Sequence, residues 1–458
     1  MGVNVAIVNT LKLGFFDSDN VLYSIAFGFG HIIEYANLHG KTIDYIDLNK
    51  INWKKFRNMI KNYDLVGYSI LSPNYNTGIK AISINKEVNK NVTIVVGGVD
   101  VSINPDKYMK NKDIDYVVTG EGEISFLKII QSKENHDEKI EKLVHGEKIE
   151  NLDDLGFINR DLFPEKRVFD PSFENPAFTI FSSRTCKYNC NFCQPVPKII
   201  FGKKSRYRSP EHVVKELNYL KSEYGLKSFQ IMDENMLQNR EYLLEFIECC
   251  KSANFKADFL MLGRSDNIIQ NEDLIKELYD IGLRAISIGF ESGSDKMLKY
   301  LNKGTTVEKN QKAVKIIKKH KIHIIGNFMF GFLNETKYDM KLTEKFIKKN
   351  DIDVLSISTF QPLPGTSLTT QYKKEGLLYE PDTVNFLSFY KPKIKGVNYF
   401  YVVWFIFKLQ FKYQKYQFSH NKYSRSTIYM FKVMEFYKLI YYFFMIIIYY
   451  IWFYFKKK

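Results

Sequence analysis

Cys186, Cys190 and Cys193 stand in "SSRTCKYNCNFCQPVP" (182–197), spaced by three residues and then by two. They are three of only five cysteines in 458 residues. Disulfide frameworks use even numbers of cysteines in small secreted chains. A closed zinc site takes four ligands, and no further His or Cys lies near this loop. Three ligands on one short loop leave a metal or cluster with an open position, which is what a catalytic centre needs. Soft thiolates select iron–sulfur clusters. Three of them can bind three irons of a 4Fe-4S cluster and leave the fourth open. The other two cysteines, Cys249 and Cys250, are neighbours within a helical segment, where adjacent side chains point apart; they read as structural.

The elements that must position the thiol loop follow from the patterning around it. "AFTIFSS" reads as a strand that ends at the loop. Five more strands follow in "KSFQIMDEN" (227–235), "KADFLMLGRSD" (256–266), "RAISIGFESG" (284–293), "IHIIGNFMFGF" (322–332) and "DVLSISTFQPLPGT" (353–366). Helical segments at 210–224, 240–254, 307–320 and 335–349 separate them. Six parallel strands with helical crossovers suggest an open or partial barrel, whose chemistry sits at the C-terminal mouth. The polar residues that packing does not explain fall there: the three cysteines, Asp233 and Glu234, Arg264, and Glu291 with Ser292. For two of these a purely structural role is open as well. Asp233 could cap the next helix, and Arg264 could pair with Asp266.

The first 130 residues carry a second α/β pattern. "VNVAIV", "TIDYID", "DLVGYSI", "VTIVVGG" and "DYVVTG" read as buried parallel strands joined by helices, hence a doubly wound sheet whose ligands lie beyond the strand carboxyl ends. Asn9, Thr10, Ser69, Ser72, Gly97, Gly98, and Gly120, Glu121 and Gly122 of "GEGE" fall at those ends. Glycines there let a ligand approach the backbone, and free helix N-termini can donate to it. No G-x-G-x-x-G follows the first strand, which disfavours a nicotinamide or flavin dinucleotide.

The thiol motif, with Phe192 directly before its third cysteine, resembles that of the radical S-adenosylmethionine (SAM) enzymes. "VVGGVD", "VVTGEGE" and "FQPLPGTSL" are similar to recurring phrases of its cobalamin-binding branch. The resemblance implies a flavodoxin-like, cobalamin-binding domain over 1–130, a linker over 131–173 and a partial (β/α)6 radical SAM barrel over 174–390. It implies a 4Fe-4S cluster on Cys186, Cys190 and Cys193, whose open iron is chelated by SAM. One electron, from a low-potential donor such as ferredoxin or flavodoxin, then cleaves SAM to methionine and a 5′-deoxyadenosyl radical under anaerobic conditions. Carried over, Phe192 packs near the adenine and Asp233–Glu234 meet the amino group. Arg264, Glu291 and Ser292 contact the carboxylate or ribose. "GFLNET" departs from the family's glycine–proline–glycine phrasing before Glu335. The first domain lacks the Asp-x-His-x-x-Gly of many cobalamin domains; His31 and His39 lie in a helix and match nothing. Cobalamin would therefore be held there without a lower protein ligand, by the strand-end residues named above.

The net charge is +15, of which +12 lies in 391–458, where 13 Lys and Arg face one acid, Glu435. A nearly neutral body thus carries a basic, aromatic, helical tail. Met1–Val8 reads as a strand rather than a signal peptide, which with the scarcity of cysteine implies the cytoplasm. The runs 397–407 and 439–455 are uncharged and aromatic, and lysines flank the second. Basic residues between them favour anionic lipid, so the tail is expected to associate with the inner face of the cell membrane. A tail packed on the barrel is the alternative; stacking on RNA suits a continuous hydrophobic run poorly, and no nucleic-acid partner is expected.

The reading is a cobalamin-dependent radical SAM methyltransferase acting on an unactivated carbon of a lipid-like or otherwise hydrophobic substrate. A radical cyclase or carbon–carbon coupling enzyme on the same scaffold, and a non-catalytic, membrane-docked corrinoid or redox sensor, are the alternatives.

Overall fold

The computed structural model describes residues 2–11, 20–135, 140–163, 173–194, 196–379 and 393–419. They form two compact units. The first comprises Met1–Glu165, Ser183–Lys187 and Pro195–His212; the second comprises Lys166–Ser182, Tyr188–Gln194 and Val213–Lys458.

In the first unit, β1 (Val5–Asn9), β2 (Asp44–Asp47), β3 (Leu65–Ser69), β4 (Thr93–Gly97), β5 (Tyr116–Thr119) and β6 (Leu143–His145) form one sheet in the order β2-β1-β3-β4-β5-β6. Every pairing is parallel. All five residues of β1 are buried, because helices cover both faces and neither face of the strand meets water. Ala6 and Val8 join one apolar layer with Val66, Ile94 and Val96. Val5 and Ile7 point the other way, to Leu65, Val95 and the helix residues Phe29, Ile33 and Phe126. That alternation is the period-2 geometry of a strand. The chain reverses direction across the sheet between β1 and β3, the place where doubly wound folds bind ligands. Sequence patterning gives five strands here, and the structure has six. β6 falls within the stretch 131–173 read as linker, because three residues are too few to show alternation.

β8 (Ser183–Arg184) and β9 (Arg206–Tyr207) form a small antiparallel ribbon, also in the first unit.

The second unit is built on β7 (Ala177–Ile180), β10 (Ser228–Ile231), β11 (Asp258–Gly263), β12 (Leu283–Glu291), β13 (His323–Phe330) and β14 (Val354–Thr359), in the order β14-β13-β12-β11-β10-β7. All pairings are again parallel. This is the six-stranded partial barrel that the patterning predicts. Ala177, Leu260, Ala285 and Ile325 pack with Phe173 in one buried cluster. Phe229 and Phe259 stack with centroids 4.9 Å apart, and Phe290, Phe328 and Phe346 form a second aromatic contact group. Crossover helices start on their own caps: Thr306 accepts from Lys309, and Thr336 and Asp339 form a reciprocal capping box. Each such cap contributes about 1 kcal/mol.

The tail reading is corrected in part. The run 397–407 belongs to a helix, Tyr399–Ser419, whose Tyr399, Val402 and Leu409 are buried. Phe405 meets Phe330 of β13 at 5.6 Å between ring centroids, and Lys412 reaches Glu344. The barrel thus covers one part of its apolar surface, while Phe400 and Phe411 stay exposed. The run 439–455 lies outside the described residues. Among the described residues, no helix is long and apolar enough to cross a membrane.

Candidate functional site

The thiol loop leaves the carboxyl end of β7. Asp233, just past β10, pins that exit: its buried carboxylate accepts from the Ser182 amide at 2.7 Å and the Ser182 hydroxyl at 2.5 Å. Cys186 and Cys190 are half-buried and Cys193 is exposed. A turn brings the Cys193 amide to the Cys190 carbonyl at 3.2 Å. The residues between the thiols are clasped by a short segment after β12. Asn191 donates its amide to Leu301 O and its side chain to Tyr300 O, both at 3.0 Å, while Asn302 donates to Asn189 O at 2.8 Å. From the other side, Leu368 N donates to Asn191 O at 3.1 Å and Gln194 donates to Pro364 O at 3.0 Å. Every acceptor in these bonds is a backbone carbonyl, so residue-type patterning gives little sign of the clasp.

Arg264, at the end of β11, is 6% exposed. Its guanidinium lies 3.6 Å from the centroid of the Tyr188 ring. Nε donates to Asp266 at 3.1 Å, one terminal nitrogen to Cys190 Sγ at 3.5 Å, and the other to the Lys303 carbonyl. Tyr188 is itself held through its hydroxyl by Asp266 at 2.7 Å and Asn267 at 2.9 Å.

Glu291, at the end of β12, has φ of +62° and forms a buried ion pair with Lys303 at 2.9 Å. Gly289 makes room for the pair: a Cβ there would stand 2.5 Å from Glu291 Oε1 and 2.8 Å from Lys303 Nζ. Lys303 also lies near the Phe192 ring, 5.7 Å from its centroid, and Phe192 packs against the buried group around Met297 and Leu301. Ser292 turns away from the mouth, to Thr343 at 3.1 Å. Glu234 is reached by solvent, yet desolvation by the protein around it, followed by repulsion from Asp233, raises its pKa. Glu335, after β13, accepts from Gly331 N at 2.6 Å with Oε2, while Oε1 is buried without a partner among the described residues. Burial pushes its pKa up to about 8 against the backbone bonds that favour the carboxylate.

In the first unit the strand-end residues largely satisfy one another. Asn9 donates to Tyr45 and accepts from Leu11 N. Thr10 accepts from Asn74 at 2.8 Å, and Ser72 donates to Asp100 at 2.6 Å. Ser69 sits under Gly98, which has φ of +102° and whose Cβ would lie 2.7 Å from Ser69 Oγ. A Cβ on Gly97 would make only ordinary contact with Val118, and one on Gly122 would stand 3.0 Å from Ile32. Gly120, at φ +81°, donates its amide to Ser102 Oγ at 3.1 Å. Glu121 is fully withdrawn: it accepts from Arg184 at 2.7 Å, from Arg206, and from Ile149 N at 3.0 Å. Glu123 takes the second Arg184 nitrogen at 2.5 Å. This buried quartet, two residues from Cys186, was not visible as a unit in the sequence. His31 lies near Arg184, Arg208 and Arg160; desolvation first, then these cations, hold its pKa well below the usual imidazole range.

Among the described residues, no three His, Cys, Asp or Glu side chains are drawn together as ligands of one ion. Thiolates that bind separate irons of a cluster sit farther apart than ligands sharing one ion. Three cysteines within eight residues, with a cationic N–H donor on one sulfur, suit a cluster as a donor set. For a corrinoid, the first unit offers small, neutral residues at a topological switch point, where a large ligand needs room more than charge.

Comparison with known proteins bears on the same two halves. Residues 180–347 match the radical SAM superfamily, and residues 23–130 match the B12 binding domain. The chain is 30% identical, over 74% of its own length and 74% of the relative's, to an uncharacterized methyltransferase of Pyrococcus horikoshii. It is 25% identical, over 71% of its length and 61% of the relative's, to the anaerobic magnesium-protoporphyrin IX monomethyl ester cyclase of Rubrivivax gelatinosus. Its fold is similar to that of the radical SAM methyltransferase TsrM of Kitasatospora setae, with a TM-score of 0.66 at 16% identity, over 82% of this chain and 76% of that one.

Proposed function

The chain belongs to the radical SAM superfamily as a member with a B12-binding domain, and on that premise we propose that it methylates an unactivated carbon of a hydrophobic small molecule. The observation that carries this is the clasped thiol loop at the mouth of a parallel barrel, with the Glu291–Lys303 pair buried beside it. When bound, the cluster supplies the electron that cleaves SAM, and the corrinoid supplies the methyl group. The protein's own residues bind and orient. Cys186, Cys190 and Cys193 hold the cluster; Phe192 borders the adenine. Glu291, its carboxylate set by Lys303, meets the SAM ribose, and Glu234, the accessible acid at the mouth, meets the amino group. Asp233 holds the start of the loop in place through Ser182, and Ser292 supports the turn after β12 through Thr343. Asn9, Thr10, Ser69, Ser72, Gly97, Gly98, Gly120, Glu121 and Gly122 shape the corrinoid floor, Glu121 from beneath. A radical cyclisation on the same scaffold is the second reading, favoured by the similarity to the cyclase of Rubrivivax gelatinosus.

Anaerobically reconstituted protein, given SAM, hydroxocobalamin and a low-potential reductant such as reduced flavodoxin, is expected to release 5′-deoxyadenosine and methionine. Cys190→Ala should abolish both iron binding and cleavage. Stoichiometric zinc without sulfide in the wild type would sink the reading, and a protein that stays colourless with excess hydroxocobalamin would remove the methyl-transfer step.

The basic segment beyond Ser419 supports a reading in which the enzyme works at the inner face of the cell membrane on a substrate that partitions there. Removal of 420–458 should abolish binding to anionic vesicles and leave SAM cleavage intact. Equal vesicle binding by both forms would refute the anchor.

A further inference from the structure

We propose that Arg264 serves the thiol loop rather than SAM: its guanidinium hydrogen-bonds the Cys190 thiolate and raises the reduction potential of the cluster held there. This rests on the cluster reading above and adds a role to a residue whose position alone would suggest a carboxylate ligand.

A guanidinium recognises a carboxylate through two parallel N–H groups on neighbouring nitrogens. In Arg264 all three nitrogens are already committed to three different partners: Nε to Asp266 at 3.1 Å, one terminal nitrogen to Cys190 Sγ at 3.5 Å, and the other to the Lys303 carbonyl. The fork that includes Nε is closed to a SAM carboxylate, and the remaining terminal N–H groups stand on nitrogens already held by a sulfur and a carbonyl. The plane is fixed as well, because the guanidinium stacks 3.6 Å from the Tyr188 ring centroid. Tyr188 is anchored in turn on Asp266 and Asn267. Arg264, Tyr188 and Asp266 thus make a rigid bracket whose outward contact is the sulfur of Cys190.

An ion pair with Asp266 alone would account for Nε and leave the rest of the group to solvent. Instead the side chain is buried, with a terminal nitrogen on sulfur and the other on a carbonyl of the clasp segment. Hydrogen bonds to cluster sulfurs and nearby positive charge stabilise the reduced, more negative cluster and so raise its potential. Arg264 is a positioning residue in this sense: it acts through Cys190, not on the reacting atoms.

The test uses full-length protein reconstituted anaerobically, as wild type, Arg264→Gln and Arg264→Lys. Iron and sulfide content, an EPR-monitored titration with dithionite, and SAM affinity by equilibrium dialysis are measured on each. Arg264→Gln should keep its iron and its SAM affinity while its reduced-to-oxidised ratio at fixed potential falls about tenfold, which for one electron is about 59 mV. Arg264→Lys, which keeps the charge but not the planar fork, should fall between. An unmoved potential would overturn the proposal, most clearly if SAM affinity collapsed instead. Should Arg264→Gln fail to fold or load, wild-type protein carrying ¹⁵N in its arginine guanidinium groups decides. A ¹⁵N coupling in the pulsed EPR spectrum of the reduced, SAM-free cluster supports the bond, and its absence refutes it. Wild-type protein that takes up no iron would instead sink the cluster reading itself, and this inference with it.

Discussion

The two units end their parallel strands in opposite chemistry. In the first, the strand ends present small, neutral groups bonded to one another, and the carboxylates nearby are withdrawn. Glu121 and Glu123 are buried against Arg184 and Arg206, and Asp100 is taken by Ser72 and Tyr108, with Lys107 at 3.6 Å. In the second, charge is kept at the mouth: the thiols of Cys190 and Cys193, Arg264, Glu234 and the Glu291–Lys303 pair. One sheet is finished as a floor for something large and weakly charged. The other is finished to hold ions in fixed places.

The comparison breaks hardest at Glu121. Its carboxylate is fully buried between two guanidinium groups, and removing one partner of a buried ionic group typically costs 3–5 kcal/mol. Glu121→Ala should therefore lower the denaturant midpoint of the whole protein strongly. If it left stability unchanged and only weakened cobalamin uptake, Glu121 would be a ligand residue and the contrast between the units would fail.

Two glycines test the contrast at smaller scale. A Cβ on Gly146 would sit 2.1 Å from the Glu121 backbone oxygen, whereas one on Gly289 meets only the side-chain tips of Glu291 and Lys303. Overpacking against backbone costs about 1–3 kcal/mol. Gly146→Ala should accordingly destabilise the fold, while Gly289→Ala should leave the melting temperature nearly unchanged and weaken SAM binding. Equal effects on stability would mean the barrel mouth is as much core as the first unit is.

The last test concerns Glu335, whose pKa burial pushes up to about 8. An acid that keeps its proton in the folded state while the unfolded chain ionises contributes stability below the ordinary carboxylate range. That contribution is lost as pH rises toward 8, at up to about 1.4 kcal/mol per pH unit. Glu335→Gln, which keeps the acceptor for Gly331 N and needs no proton, should flatten the melting temperature between pH 5 and pH 8. If Glu335→Gln and the wild type showed the same pH dependence over that window, the carboxylate would be shown to be ionised.

How much of this was legible in the sequence varied with range. Local signals carried far: the apolar runs became strands, and the thiols, Asp233, Arg264 and Glu291 fall at strand ends as the patterning placed them. What was not legible depends on partners distant along the chain. Arg206 pairs with Glu121 85 residues away, and Asn191 is held by Tyr300 from 109 residues away. No periodicity marks such pairs. Lys303 and Tyr188 carry no signal of their own in the sequence, because their roles are set by what stands opposite them. The aromatic run at 397–407 misled for a related reason: its apolar character shows that it must be covered, but not by what.

The clasp on the thiol loop also orders events during synthesis. Tyr300, Leu301 and Asn302, which hold Asn189 and Asn191, are translated after the cysteines they help to arrange. Because Tyr300 follows Asn191 by 109 residues, at a rate of 5–20 residues per second the thiols emerge roughly 5–20 s before their clasp exists. During that interval Cys186, Cys190 and Cys193 are three unprotected thiols on a nascent chain, open to air or to a stray zinc ion. Loading of the cluster therefore belongs after Asn302 has emerged, when the closed clasp presents a finished site rather than a reactive strand of thiols.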